Sequence, residues 1–147
     1  MRNLIPKLIF LAISTLFVAS FVTVLLATTY HCSHEIDPGP TGTINSGSYV
    51  VQCSWCLQAM ASAGSPSYAS VYGNDSFTKS GVSIAYLEGN ASKLITSTDC
   101  VNADSVIAFD SVVKNLSSGS YTHNCYMSWT VTHGSNNDRK TEYLQVR

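Results

Sequence analysis

Charge is scarce in this chain: 12% of its 147 residues are Asp, Glu, Lys or Arg, and the formal net charge is −1. Beyond residue 29 the basic side chains are Lys79, Lys93, Lys114, Arg139, Lys140 and Arg147, opposed by nine acidic ones, with no basic stripe among them. A protein that neutralises a phosphate backbone needs such a stripe, so nucleic acid is not an expected partner. Also missing are the Glu- and Lys-rich stretches of a cytosolic helical protein, any internal repeat, and a Gly-x-Ser-x-Gly nucleophile elbow. Ser and Thr make up about a quarter of the residues, so solubility rests on hydroxyls and amides, as in many extracellular β-domains.

What is abundant first is apolar sequence. Residues 8–27, "LIFLAISTLFVASFVTVLLA", are twenty in a row without charge, Gly or Pro. At the helical rise this length spans a hydrocarbon core of roughly 30 Å. Arg2 and Lys7 precede the run, while Glu35 and Asp37 follow, which leaves residues 1–7 in the cytoplasm and carries the rest across the membrane. The expected span is residues 8–29, as an uncleaved signal-anchor of a single-pass membrane protein or as a cleaved signal peptide of a secreted one. An assembly helix of the pilin kind lacks its processing glycine and early glutamate here. Residues 30–47, containing "EIDPGPTGTINSG", read as a stalk or linker, and residues 48–147 as one extracytoplasmic domain.

Within that domain alternation with period two dominates. Tyr49, Val51, Cys53 and Trp55 share one face of "YVVQCSW"; Val82, Ile84, Tyr86 and Glu88 share one face of "GVSIAYLEG". The clearest run is "SYTHNCYMSWTVT", where Tyr121, His123, Cys125, Met127, Trp129 and Val131 oppose a row of hydroxyls and amides that includes Tyr126. The segment "SVIAFDSVVKNL" is rich in β-branched residues, "TEYLQVR" closes a last hairpin, and "LQAMASAG" predicts two helical turns. About seven short strands with turns between them predict an all-β, antiparallel β-sandwich behind one N-terminal helix.

The segment "FDSVVKNLSSGSYTHNCYMSW" resembles the E strand, turn and F strand of an immunoglobulin-like domain. Ser118, Gly119, Tyr121 and Cys125 fill the motif, and the resemblance makes Cys53 the matching cysteine of strand B. The tyrosine lies four residues before Cys125 rather than two, Ser117 replaces an acidic residue, and the core tryptophan expected a dozen residues after the first cysteine is missing.

Cysteine usage in an exported domain implies disulfides. Cys53, Cys56, Cys100 and Cys125 allow three connectivities. Alternation points Cys53 and Cys125 inward, so the expected pairs are Cys53–Cys125 and Cys56–Cys100. Cys32 is then left over as an interchain thiol for a homodimer or larger assembly. Thioredoxin-type chemistry at "CSWC" lacks a parallel βαβ context, and zinc at "HCSH" lacks a second paired half-site. No cofactor, metal or catalytic residue is expected, and His123 reads as a packed core histidine. Sequons occur at Asn74, Asn90 and Asn115, marking a glycoprotein. Tyr68, Tyr72 and Tyr126 are the candidate contact residues. The expected function is non-catalytic recognition or adhesion through a protein partner. The alternative is a structural subunit of a membrane complex or extracellular filament, with the β-domain as its outer cover.

Overall fold

The computed structural model describes residues 29–62, 67–133 and 136–146; the apolar run at 8–27 lies outside them. Among the described residues no helix is long and apolar enough to cross a membrane. Eight strands follow one another: β1 (His31–Pro38), β2 (Gly42–Ile44), β3 (Gly47–Ala59), β4 (Ser67–Lys79), β5 (Val82–Ile95), β6 (Asp104–Leu116), β7 (Gly119–His133) and β8 (Asn136–Val146). They form two antiparallel sheets. One has the order β1-β3-β6; the other runs β7-β4-β5, with β8 and the short β2 both paired to the outer side of β7. The expected all-β, two-sheet architecture is therefore present.

Period-two patterning explains why these segments are strands and which way they face. Along β7 every second side chain from Tyr121 to Val131 is buried, and along β3 the buried set is Val51, Cys53, Trp55, Leu57 and Ala59. A one-residue slip in either strand would turn this whole set to solvent, which sets the register strongly. Between β4 and β5 the chain reverses at Ser80 and Gly81, both with positive φ, the two-residue hairpin whose twist matches its strands.

Two expectations are corrected. Residues 30–47 are not a stalk: β1 pairs with β3 from His31 to Pro38, and β2 pairs with β7. Pro38 ends the edge strand β1, Gly39 and Pro40 lie at the crossing between sheets, and Gly42 opens the edge strand β2, where missing ladder bonds cost little. The predicted helix at "LQAMASAG" is also overturned, since Leu57, Gln58 and Ala59 continue β3 against Val106, Ser105 and Asp104. Burial of Leu57 and Ala59 in the core outweighs local helix propensity.

Gly73 on β4 and Gly89 on β5 face each other across the ladder, and the Trp55 indole from the opposite sheet lies on both. A Cβ on Gly73 would stand 2.1 Å from Trp55 Cδ2, and one on Gly89 would stand 3.1 Å from Cζ3. Two glycines in paired strand positions thus make the slot for one large ring.

Candidate functional site

Two places concentrate chemistry. The first is buried. Cys53 on β3 and Cys125 on β7 bring their sulfurs to 3.8 Å across the core, within reach of a bond of about 2.05 Å. Asp75, directly across from Cys125 on β4, completes a set of three ligand-type atoms within 4.8 Å of one another. The hydrogen bond to Cys53, burial and the nearby Asp75 carboxylate drive the Cys125 thiol far above its ordinary range, so the thiolate is suppressed.

Asp75 and His123 are both fully buried, and His123 Nδ1 lies 2.5 Å from Asp75 Oδ2. The other ring nitrogen, Nε2, lies 2.9 Å from the Pro40 carbonyl oxygen. That carbonyl can only accept, so Nε2 carries a hydrogen. A second proton sits between Nδ1 and Oδ2. The remaining carboxylate oxygen accepts the Asn124 N–H at 3.0 Å. The expectation of a packed core histidine holds. Position alone did not reveal that His123 also pins residues 39–41, where the chain passes from the first sheet to the second.

Sequence spacing made "CSWC" a redox candidate; geometry separates its cysteines. Cys53 faces the core while Cys56 lies half-buried on the outer face of β3, across from Glu35 and Ile107. Burial, then the Glu35 carboxylate, push the Cys56 thiol upward. Here "CSWC" continues a strand rather than opening a helix, so no helix dipole acts on either thiol.

Cys100 bonds to Cys32, not to Cys56. The physical reason is the β1–β3 pairing, which sets the start of β1 beside the loop after β5, with Tyr30 accepting the Met60 N–H. Cys32 is consumed within the chain, while Cys53, Cys56 and Cys125 carry free thiols in the structure; of these, Cys53 and Cys125 face each other at 3.8 Å, which leaves Cys56 rather than Cys32 without a cysteine to pair with. Peptide mapping of the unreduced protein should therefore recover Cys32 joined to Cys100 and Cys53 joined to Cys125. Cys56 should be alkylated without reduction. A Cys53–Cys56 link would contradict the opposed faces.

The loop bearing Cys100 is held by Asp104. Its carboxylate meets Lys93 Nζ at 2.8 Å and accepts the backbone N–H groups of Thr96 and Ser97 at 2.7 and 2.9 Å. The hydrogen bond from Lys93, then those from Ser97 and Thr96, hold this carboxyl well below the usual carboxylate range. A depressed folded pKa means stability present above the unfolded value and lost as pH falls through the folded one. Asp104→Asn should thus lower urea stability at pH 7, with the gap to wild type closing as pH drops below about 4. A gap that persists undiminished at pH 2 would refute the assignment.

The second place is the outer face of the sheet β8-β7-β4-β5. Tyr72 and Tyr126 meet edge-on with ring centroids 6.1 Å apart, and Tyr126 and Tyr143 lie 5.0 Å apart. Tyr86 on β5 continues the row on the same face; loss of water, then the neighbouring Tyr72 hydroxyl and the Glu88 carboxylate, push its hydroxyl upward. Tyr86 and Tyr143 are 57% and 80% exposed, Tyr143 although its ring packs on Tyr126. The rings of this row run across all four strands.

Of the expected contact residues, Tyr72 and Tyr126 belong to this row, and Tyr68 stands apart at the far end, across from Leu94 and Thr132. Between Tyr68 and Tyr72 lies a depression of about 260 Å³ floored by Ser70, Ser92, Ser128 and Thr130. Both tyrosines belong to β4, the strand between β7 and β5. Sequence reasoning missed Tyr86 and Tyr143. Parity placed Tyr86 with Val82 and Glu88, and all three are exposed, so the signal was present but assigned no face.

No protein-family model matches the chain, nor does any curated protein sequence.

Proposed function

We propose that this chain is a recognition module of immunoglobulin-like type, tethered by residues 8–27 or secreted, that binds a protein partner through its tyrosine face. The observation that carries the reading is the row Tyr86–Tyr72–Tyr126–Tyr143, which offers aromatic area and hydroxyls from rigid strands. Tyrosines so held form contacts at low entropic cost, and interfaces favour them for that reason.

Strand order supports the immunoglobulin-like part. If β3 and β7 are strands B and F, the sheets become A-B-E and G-F-C with one added strand C′. Tyr121 donates its hydroxyl hydrogen to the Ser117 carbonyl at 2.8 Å, the bond expected of a tyrosine at the E–F corner. Trp55 lying over Gly73 accounts for the missing strand-C tryptophan: the ring comes from strand B.

A photo-crosslinking amino acid in place of Tyr126, in the full-length protein at its native site and freed of Asn-linked carbohydrate, should capture one partner, and Tyr72→Ala together with Tyr143→Ala should abolish the capture. The same probe at Ile107 should capture nothing. The reverse pattern would favour a structural subunit. One feature speaks for that alternative: Val50, Ile107, Phe109 and Val113 expose an apolar outer face on the other sheet, each at least half accessible.

A further inference from the structure

Asn74 stands at the centre of the tyrosine face. It lies on β4 directly across from Tyr126 of β7 and Glu88 of β5. Its Nδ2 donates to the Tyr72 hydroxyl at 3.4 Å. Asn90, on β5, lies directly across from Tyr72 and is exposed. Side chains opposed in this way have Cβ atoms about 5 Å apart, so both amides stand against tyrosines of the row. Asn74 and Asn90 each begin an Asn-x-Ser sequon; the third, at Asn115, lies on β6 in the other sheet.

We propose that the tyrosine face is shielded by carbohydrate: an oligosaccharide on Asn74 closes it, one on Asn90 narrows it from the β5 edge, and one on Asn115 leaves it open. The modification is transfer from a lipid-diphosphate-linked oligosaccharide. Asn74 Nδ2 loses one proton and bonds the anomeric carbon, the lipid diphosphate departs, and one N–H remains on Nδ2. The face is four strands wide, roughly 15 Å, so a branched, hydrated glycan rooted in its middle covers the row.

The argument for control of binding rests on the function proposed above; the shielding itself does not. It is tested on the full-length chain passed through a eukaryotic secretory pathway, by glycopeptide mapping and hydroxyl-radical footprinting. Wild type is compared with Asn74→Gln, Asn90→Gln, Asn115→Gln and enzymatically deglycosylated protein, with thermal unfolding as the folding control. Carbohydrate is expected on Asn74, with labelling of Tyr72, Tyr126 and Tyr143 rising several-fold in Asn74→Gln and on deglycosylation. The rise should be smaller in Asn90→Gln and absent in Asn115→Gln. Tyr68 labelling should stay constant. An unmodified Asn74, or equal labelling with and without its glycan, overturns the proposal. If labelling rises but partner capture from Tyr126 does not differ between glycoforms, the shield stands and the binding role of this face falls.

Discussion

Gly73→Ala is expected to destabilise the domain by about 3 kcal/mol, the upper end of overpacking costs, although alanine is the better strand residue. Exchanging glycine for alanine within a strand ordinarily gains roughly 0.5–1 kcal/mol. Here the new methyl would lie 2.1–2.3 Å from Trp55 Cδ2, Cε2 and Cγ, and Trp55 is fully buried between the sheets. The ring must leave its rotamer or the sheets must separate, and both options forfeit dispersion contacts over much of the core. Thermal unfolding should show a fall of roughly 10 °C. Gly47→Ala, whose methyl would meet only the Tyr49 side chain, no nearer than 3.4 Å, is the control and should be nearly neutral. In a Trp55→Phe background the cost of Gly73→Ala should shrink, because the smaller ring frees part of the slot. An unchanged cost would mean that the clash is not the cause.

His123→Ala should be of similar or larger effect, about 3–5 kcal/mol. The variant leaves the Asp75 carboxylate fully buried with the Asn124 N–H and the neighbouring Cys125 thiol beside it, and strips the Pro40 carbonyl of its donor. Asp75→Ala removes the other half and strands a buried imidazole. Neither cost measures the net worth of the pair, since each includes the penalty of an orphaned polar group. The double variant Asp75→Ala/His123→Ala should therefore lose clearly less than the sum of the two, by chemical denaturation. Strict additivity would show that the two side chains do not act as a pair. Because His123 also holds the Pro40 crossing, His123→Ala should raise amide exchange in β1 and β2 more than in β5.

Much of this follows from residue order. Alternation in residues 120–132 is enough to place Cys125, His123 and Trp129 inward and Tyr126 outward, because a strand's side chains alternate whatever it pairs with. The inward direction of Cys53 and the outward one of Cys56 follow in the same way, which answers the redox question posed by "CSWC". The tyrosine row was legible only in part. Tyr72 and Tyr126 are fifty-four positions apart, and what brings them together is the β4–β7 register, a long-range pairing that no local pattern specifies.

The sequence by itself thus determined the strand class of the domain, the inward and outward parity of its long strands, and the scarcity of charge that leaves hydroxyls and tyrosines to cover its surface. Tertiary structure alone decided the partners. It joined Cys100 to Cys32, drew residues 31–44 into the two sheets, laid Trp55 over Gly73 and Gly89, and set Asn74 among tyrosines from three other strands. Parity is local and repeats every two residues, so it can be read along the chain. Pairing is a competition between distant surfaces for burial, and its outcome is settled only when all eight strands pack together.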